Sequence, residues 1–186
     1  NSLSGLYNFR KEVVEKLLEE NYKVIISSPY LKHKLIYFLE LGCEYIEPPF
    51  NRKSVNPFSD IKLLLRYINI LNKVKPDIVL TYTIKPNVYG GLACRYFKIP
   101  YIANITGVGA SIENRGILRE VALKLYKMGL KKANMVFFQN QSNKELFLNK
   151  KIVHNNVKLI PGSGVNLERF TFSKYPEENN IINFLF

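Results

Sequence analysis

Short β-branched runs alternate with longer amphipathic stretches along this chain, and this alternation constrains its fold more than any other feature. The run Lys23–Ser28 is apolar at successive positions and too short for a helix, which indicates a strand buried on both faces. The stretch before it, Tyr7–Asn21, has the apolar spacing of one helical face. Strand and helix alternate about six times, so we predict an α/β chain with a doubly wound, mostly parallel sheet.

The remaining elements follow from the same two periodicities. Further helices are predicted at Lys34–Leu41, around the apolar stripe Ile61, Leu64, Leu65, Ile68 and Leu71, and at Asn87–Phe97, Gly116–Lys132 and Ser142–Leu148. Further strands are predicted at Cys43–Ile46, Asp77–Tyr82, Tyr101–Ile105, Met135–Gln139, Val157–Ile160 and Ile181–Phe186. In such a sheet ligands bind at the carboxyl ends of the strands, so those ends are where we expect the chemistry.

Both ends of the sequence are unusual for this architecture. The chain opens on a helix, although such folds normally open on a central strand, and it closes on the apolar run Ile181–Phe186. We expect a longer parent protein with a strand before Asn1 and a second domain after Phe186. The sheet would then lack its first strand, and a speculative occupant of the vacant position is Ile181–Phe186, from its own chain or a neighbour's.

The charge balance points to an anionic partner, and the cysteine usage points to a reducing compartment. The chain has 27 Lys and Arg against 15 Asp and Glu, a net charge of +12, and only two cysteines. No uncharged apolar run approaches the roughly 20 residues of a spanning helix, and Asn1–Arg10 does not resemble a signal peptide. With only Asp60 and Asp77 as aspartates and no paired His or Cys, we expect no metal site.

Two glycine loops follow predicted strands. Gly107 and Gly109 follow Tyr101–Ile105, while Gly162 and Gly164 follow the strand that ends at Ile160, so backbone N–H groups could approach an anion at both places. Neither loop completes the Gly-x-Gly-x-x-Gly pattern, which argues against a dinucleotide dehydrogenase. A plain turn explains each loop equally well.

Polar side chains without carboxylates gather at the other strand ends. The set is Ser27, Ser28, Thr81, Thr83, Lys85, Asn87, Asn104, Thr106, Gln139 and Asn140. Hydroxyls, amides and one amine suit a polyhydroxylated ligand that carries a phosphate better than they suit a metal. The alternative is that these residues cap the helices that follow them.

The predicted helix Gly116–Lys132 has an apolar arc wider than half a turn. One side of the arc should meet the sheet, which leaves Leu123, Tyr126 and Leu130 without an assigned contact. Beside them lie the basic residues Arg119, Lys124, Lys127 and Lys131. We predict that this face rests on an anionic membrane. The alternative is a buried helix with a solvated charged edge.

Five segments, in order along the chain, resemble the N-terminal domain of family 4 glycosyltransferases with the GT-B fold. They are Ser4–Arg10, Leu80–Gly91, Tyr101–Gly109, Val136–Asn140 and Leu159–Phe170. The closest branch builds bacterial surface glycans on undecaprenyl diphosphate. The resemblance implies a Rossmann-like acceptor domain over residues 1–170, then a linker and the first strand of a C-terminal donor domain over residues 171–186.

The resemblance also implies a reaction and its partners. A retaining, metal-independent transfer would move a hexose or N-acetylhexosamine from a UDP-sugar to a lipid-diphosphate-linked saccharide, by a protein lying in the cytoplasm on the inner face of the bacterial membrane. The protein's own C-terminal domain would be a partner and nucleic acid would not, and this chain alone would be inactive. By motif position, Gly5 in a first loop approaches donor phosphate or acceptor, and the other implied binding residues are Tyr7, Asn8, Lys85, Asn87, Thr106, Gly107, Gly109, Asn140, Gly162, Ser163 and Gly164.

One departure from the family and two alternatives stay open at this point. Many relatives have a His after the strand that matches Tyr101–Ile105, whereas this chain has Thr106 and Gly107, so no catalytic residue is carried over. UDP-sugar 2-epimerases share the architecture but need carboxylates and a His in the cleft. A basic nucleic-acid-binding module would also fit the charge, although no recognition motif for it is present.

Overall fold

The computed structural model describes residues 3–47, 57–109, 112 and 116–174. Helices and strands alternate through these ranges. The helices are α1 (Leu3–Glu19), α2 (Lys32–Glu40), α3 (Pro57–Val74), a π-helical segment (Pro86–Gly90) that continues into α4 (Gly91–Phe97), α5 (Ile117–Leu130) and α6 (Gln141–Asn149). The strands are β1 (Ile25–Ser27), β2 (Glu44–Ile46), β3 (Val79–Tyr82), β4 (Tyr101–Ile105), β5 (Met135–Phe138) and β6 (Val157–Leu159).

All strand pairs are parallel, which confirms the predicted α/β class. β1 pairs with β2, and a four-stranded sheet has the order β3-β4-β5-β6. The described strands therefore form two sheets instead of one, because no described strand joins β1 to β3. The predicted strand at Ile181–Phe186 and most of the linker lie outside the described residues.

Two hydrophobic cores match the two sheets. The larger core lies between β3–β6 and the helices α3 to α6, with Tyr126, Phe138 and Phe147 in edge-to-face ring contacts of 5.0 and 5.3 Å. The smaller core joins α1, α2, β1 and β2 around Leu3 and Phe38. Edge-to-face aromatic pairs add about 1 kcal/mol each beyond their buried area, so the ring cluster helps to fix α5 and α6 on the sheet.

The prediction for the outward face of α5 was wrong for its apolar members. Leu123, Tyr126 and Leu130 are 4, 0 and 2% exposed and belong to the larger core. The outward apolar residues are instead Ile117, Leu118, Val121 and Met128. The physical reason is steric. Gly129 is on the same side of α5 as Tyr126, and because it has no side chain, the backbone of α5 can contact the backbone of the π-helical segment.

Two smaller differences also concern helices. α1 begins at Leu3, so Gly5 lies inside its first turn and not in a loop as expected. In α3, Ile61 and Leu65 of the predicted stripe are exposed, whereas Leu63 and Leu71 are buried. No helix in the described ranges is long and apolar enough to span a bilayer.

Candidate functional site

The carboxyl ends of β3, β4, β5 and β6 meet at one edge of the parallel sheet. The segment that follows β3 begins at Thr83, and the one that follows β4 begins at Thr106. Gln139 follows β5, and the glycine turn at residues 162–164 comes shortly after β6. The structure thus brings segments distant in sequence to the edge where such sheets bind ligands.

The backbone after β3 has an unusual conformation. Thr83 has φ +66°, a left-handed value that costs energy for a β-branched residue. Its carbonyl accepts a hydrogen bond from the N–H of Asn87 at 3.0 Å, and the π-helical segment Pro86–Gly90 follows. Such features concentrate at functional sites, so this strand end is the strongest backbone signal for a site in the described chain.

Asn87 holds this segment against β4. Its side chain is 0% exposed, and its Nδ2 donates to the carbonyl of Asn104 at 3.0 Å. The Oδ1 atoms of Asn87 and Asn104 are buried without a hydrogen-bond partner within the described part of the chain. Asn87 therefore holds the π-helical segment against β4, and its buried side chain does not reach the surface of the edge.

Lys85 is part of a three-residue polar cluster. Its Nζ lies 2.8 Å from Oδ1 of Asp60, and the hydroxyl of Tyr89 donates to the other carboxylate oxygen at 2.9 Å. The side chains of Lys85 and Asp60 are 21 and 22% exposed, so the ion pair is partly shielded from water and open on one side. Burial, and then the bond to Asp60, raise the pKa of the Tyr89 hydroxyl.

Sequence reasoning missed Asp60 and Tyr89. Asp60 lies in the first turn of α3, where an acidic residue is explained by the helix dipole, and 25 positions separate it from Lys85. Tyr89 lies four positions after Lys85, the spacing of neighbours on a helical face, and that spacing was the one available signal.

Arg10 contributes a second cation near the end of β3. Its guanidinium carbon lies 4.3 Å from the ring centroid of Tyr82, the last residue of β3. Burial lowers the pKa of Arg10 and raises that of Tyr82. The ion pairs found in the described ranges do not include Arg10, so its guanidinium lies there against the face of a ring and not against a carboxylate.

The start and the end of the described chain share a small cavity. Asn8, Phe9 and Glu12 of α1 line it together with residues 163–166, and its volume is about 210 Å³. Asn166 Nδ2 donates to Oε1 of Glu12 at 3.1 Å, and hydrogen bonds from a backbone N–H and from Asn166 lower the pKa of Glu12. The predicted site residues Asn8, Ser163 and Gly164 are thus brought together.

The glycines of the two loops have different explanations. Gly109, Gly162 and Gly164 have φ values of +69, +77 and +72°, which L side chains rarely adopt. Gly107 has room for a side chain, and its neighbour Thr106 is half-buried. The turn after β6 is also tied to the edge, because Gln139 Nε2 donates to Ser163 Oγ at 3.0 Å.

Three predicted site residues have structural roles. Tyr7 packs in the smaller core, edge-on to Tyr37 at 5.0 Å, with the Lys34 ammonium 3.7 Å from its ring centroid. Asn140 caps α6, since its Oδ1 accepts from the N–H of Asn143 at 2.8 Å. Gly5 is within α1. The alternative explanation by capping thus holds for Asn140.

A larger open cavity lies beside the first turns of α5. Its volume is about 670 Å³, and its lining includes Ile117, Val121, Arg119, Lys124 and Lys150. Lys150 pairs with Glu120 at 3.5 Å, and the Arg119 Nε is buried with no partner in the described ranges. This surface combines exposed apolar side chains with an excess of positive charge.

Within the described ranges, no three His, Cys, Asp or Glu residues are grouped to hold a metal ion.

Comparisons with known proteins agree on one fold. A family model described as "Glycosyl transferase 4-like" matches residues 4–140. The chain is 29% identical over 172 residues to N,N'-diacetylbacillosaminyl-diphospho-undecaprenol alpha-1,3-N-acetylgalactosaminyltransferase of Campylobacter jejuni, covering 90% of this chain and 46% of that protein.

Two solved structures have the same fold. A glycosyltransferase from Rickettsia africae superposes with a TM-score of 0.63 and 24% identity, over 86% of this chain and 40% of that one. A UDP-N-acetylglucosamine 2-epimerase superposes with a TM-score of 0.55 and 18% identity, over 81% of this chain and 45% of that one. The chain therefore spans less than half the length of each of these proteins.

Proposed function

The chain belongs to the glycosyl transferase 4-like family, and we therefore propose that it is the acceptor-binding domain of a glycosyltransferase. The acceptor is a lipid-diphosphate-linked saccharide, and the transferred group is a hexose or N-acetylhexosamine in bacterial surface-glycan synthesis. The match to the C. jejuni transferase supports this acceptor, because that enzyme is named for an acceptor saccharide linked to diphospho-undecaprenol. The match covers 90% of this chain.

One structural observation carries the proposal: the carboxyl edge of the sheet gathers hydrogen-bonding side chains around the ion pair of Lys85 and Asp60. Lys85 and Tyr89 follow β3 and contact Asp60 of α3, and Asn8 of α1 and Ser163 line the smaller cavity. A hydroxyl-rich ligand needs several donors and acceptors in fixed positions and little net charge. The side chains of Asp60, Lys85 and Tyr89 have that chemistry.

The nucleotide-sugar belongs to the second half of the protein in this proposal. The chain spans 46% of the C. jejuni transferase, which leaves room there for a donor domain. We further propose a UDP-sugar donor, retention at the anomeric carbon and no divalent metal on the acceptor side. The scarcity of grouped carboxylates in the described ranges supports the last point. Turnover then requires both halves.

The outward face of α5 supports attachment to an anionic membrane. Ile117, Val121 and Met128 are exposed along one stripe, with Lys124 and Lys131 beside it. Apolar side chains enter the boundary between headgroups and acyl chains, and each nearby lysine adds about 1 kcal/mol on an anionic leaflet. The proposal places this face on the inner side of the bacterial membrane, where a lipid-linked acceptor is within reach.

The two alternatives have less support. A 2-epimerase has the same fold, as the superposition shows, but the family match and the C. jejuni relative are glycosyltransferases. The nucleic-acid alternative rested on the charge of +12, and a membrane of anionic lipid explains the same charge together with the exposed apolar stripe.

A transfer assay tests the proposal. The whole enzyme that contains this chain is incubated with UDP-linked hexoses and N-acetylhexosamines and with a saccharide on undecaprenyl diphosphate, and the lipid products are analysed by mass spectrometry. We expect a lipid product heavier by one sugar. Conversion of UDP-N-acetylglucosamine to its 2-epimer without any lipid product would support the epimerase alternative instead.

A further inference from the structure

Asp60, Lys85 and Tyr89 form a cluster in which the lysine charge is already matched. The ammonium lies 2.8 Å from one oxygen of the Asp60 carboxylate, and the Tyr89 hydroxyl bonds the other oxygen at 2.9 Å. Here they are called the Asp60 cluster. The Tyr89 hydroxyl adds no charge at neutral pH, and burial raises its pKa further, so the charges of the Asp60 cluster are those of the Lys85–Asp60 ion pair.

The Asp60 cluster lies at the carboxyl end of β3, the edge at which open parallel sheets bind ligands. Lys85 and Tyr89 are four residues apart on the helical segment that follows β3, so they share one face, and Asp60 meets them from α3. The left-handed Thr83 and the buried Asn87 fix the course of this segment. The position of the cluster is therefore set by the fold and not by its own ion pair alone.

The matched charge determines which ligand the cluster fits. A phosphate that approached Lys85 would meet the Asp60 carboxylate beside it, and repulsion between the two anions would cancel much of the attraction to the ammonium. A hydroxyl group has no such cost. Each carboxylate oxygen has two lone pairs and accepts one of the bonds described above, so Asp60 can accept further hydrogen bonds.

From this arrangement we infer that the Asp60 cluster binds hydroxyl groups of a neutral saccharide and that Asp60 sets this specificity. The inference rests on the proposed acceptor function, and it assigns the sugar of the acceptor, not its diphosphate, to the end of β3. The sequence alone indicated a polyhydroxylated ligand that carries a phosphate and did not separate the two parts. The pairing with Asp60, which only the fold reveals, refines that interpretation.

A nuclear magnetic resonance titration tests the inference. The ¹⁵N-labelled chain is titrated with the methyl glycosides of glucose, galactose, N-acetylglucosamine and N-acetylgalactosamine, and separately with inorganic pyrophosphate. We expect at least one glycoside to shift the amide resonances of residues 83–90 and pyrophosphate to leave them unchanged. Asp60→Asn removes the charge that attracts the hydroxyls, so we expect about tenfold weaker glycoside binding, the effect of one charge-assisted hydrogen bond.

Two further variants complete the design. Tyr89→Phe keeps the ion pair and removes the hydroxyl oxygen, which can accept a bond from a sugar hydroxyl while it donates to Asp60. It should therefore weaken glycoside binding severalfold, and it serves if Asp60→Asn does not fold. Glu44→Gln breaks a more exposed ion pair away from the cluster, Lys23–Glu44 at 2.6 Å, and should bind like the parent chain.

The outcomes separate this inference from the proposed function. The inference would be overturned if pyrophosphate shifted residues 83–90 more than the glycosides do, or if the glycosides bound elsewhere on the chain. The proposal that this chain is an acceptor-binding domain would stand in either case. If no glycoside and no pyrophosphate bound anywhere on the chain, both the inference and the proposed function would be overturned.

Discussion

The hydroxyl of Tyr101 donates a hydrogen bond to the carbonyl oxygen of Gly129 over 2.6 Å, joining the start of β4 to the last turn of α5 inside the larger core. At the same place α5 meets the π-helical segment with no side chain between the backbones. A Cβ added to Gly129 would lie 2.5 Å from Cα of Val88. This contact turns Tyr126 and Leu130 inward and leaves Val121 and Met128 in solvent.

Replacing Gly129 with alanine should strongly destabilise the chain. The new methyl group would meet backbone atoms of Val88 and Asn87, which cannot move as a flexible side chain would. Overpacking of this kind costs about 2–3 kcal/mol, more than the gain of about 1 kcal/mol in helix propensity. Urea unfolding measures the loss, with Gly107→Ala as the matched control because its Cβ has no neighbour within 4 Å. Equal stability of the two variants would contradict the close approach.

The folded chain should lose stability above about pH 10. Burial raises the pKa of Tyr101 to about 12, so folding favours the protonated phenol. Stability from this group is complete below the unfolded pKa of about 10 and is lost as the pH rises towards 12. Urea unfolding at a series of alkaline pH values should show the decline, and Tyr101→Phe should reduce it. Cys94, whose pKa burial also raises to about 12, should account for part of the decline that persists.

The corrected face of α5 makes a direct prediction about membrane binding. Val121→Ser with Met128→Ser removes two exposed apolar side chains, so co-sedimentation with liposomes that contain phosphatidylglycerol should fall severalfold. Ile61→Ser with Leu65→Ser is the matched control, since these residues are equally exposed on α3. Equal loss in both double variants would mean that α5 has no special role.

Asn140 should contribute to stability chiefly as a helix cap. Asn140→Ala removes the acceptor of the Asn143 N–H and should cost about 1 kcal/mol in urea unfolding, whereas Asn140→Asp keeps an oxygen in place and should preserve the stability. Loss of stability in both variants would show that the amide nitrogen matters as well.

Within the described ranges, local pattern was enough to predict the strands, the helices and the edge, because strands and helices here follow their own periodicities. β4 has the predicted bounds Tyr101–Ile105, and the strand ends meet on one edge as parallel crossovers require. The separation of the described strands into two sheets could not be deduced, since strand order depends on contacts between distant segments.

The failures have one physical cause, which is that contacts between distant segments have no local signature. Both sides of α5 have apolar residues at helical spacing, so the sequence does not distinguish them. A single small residue, Gly129, decides which side is buried. The pairing of Lys85 with Asp60 joins two residues 25 positions apart, so a lysine that looks unpaired in the sequence has its charge matched by a carboxylate in the fold. The cavity shared by Asn8 and Gly164 depends on the whole fold in the same way.

Equilibrium binding tests the central claim most directly. Calorimetric titration of the chain with a short-prenyl diphosphate-linked saccharide should give saturable binding, and titration with UDP-N-acetylglucosamine or UDP-N-acetylgalactosamine at the same concentrations should give none. Saturable binding of a UDP-sugar, with no binding of the lipid-diphosphate-linked saccharide, would contradict the assignment of this chain to the acceptor side.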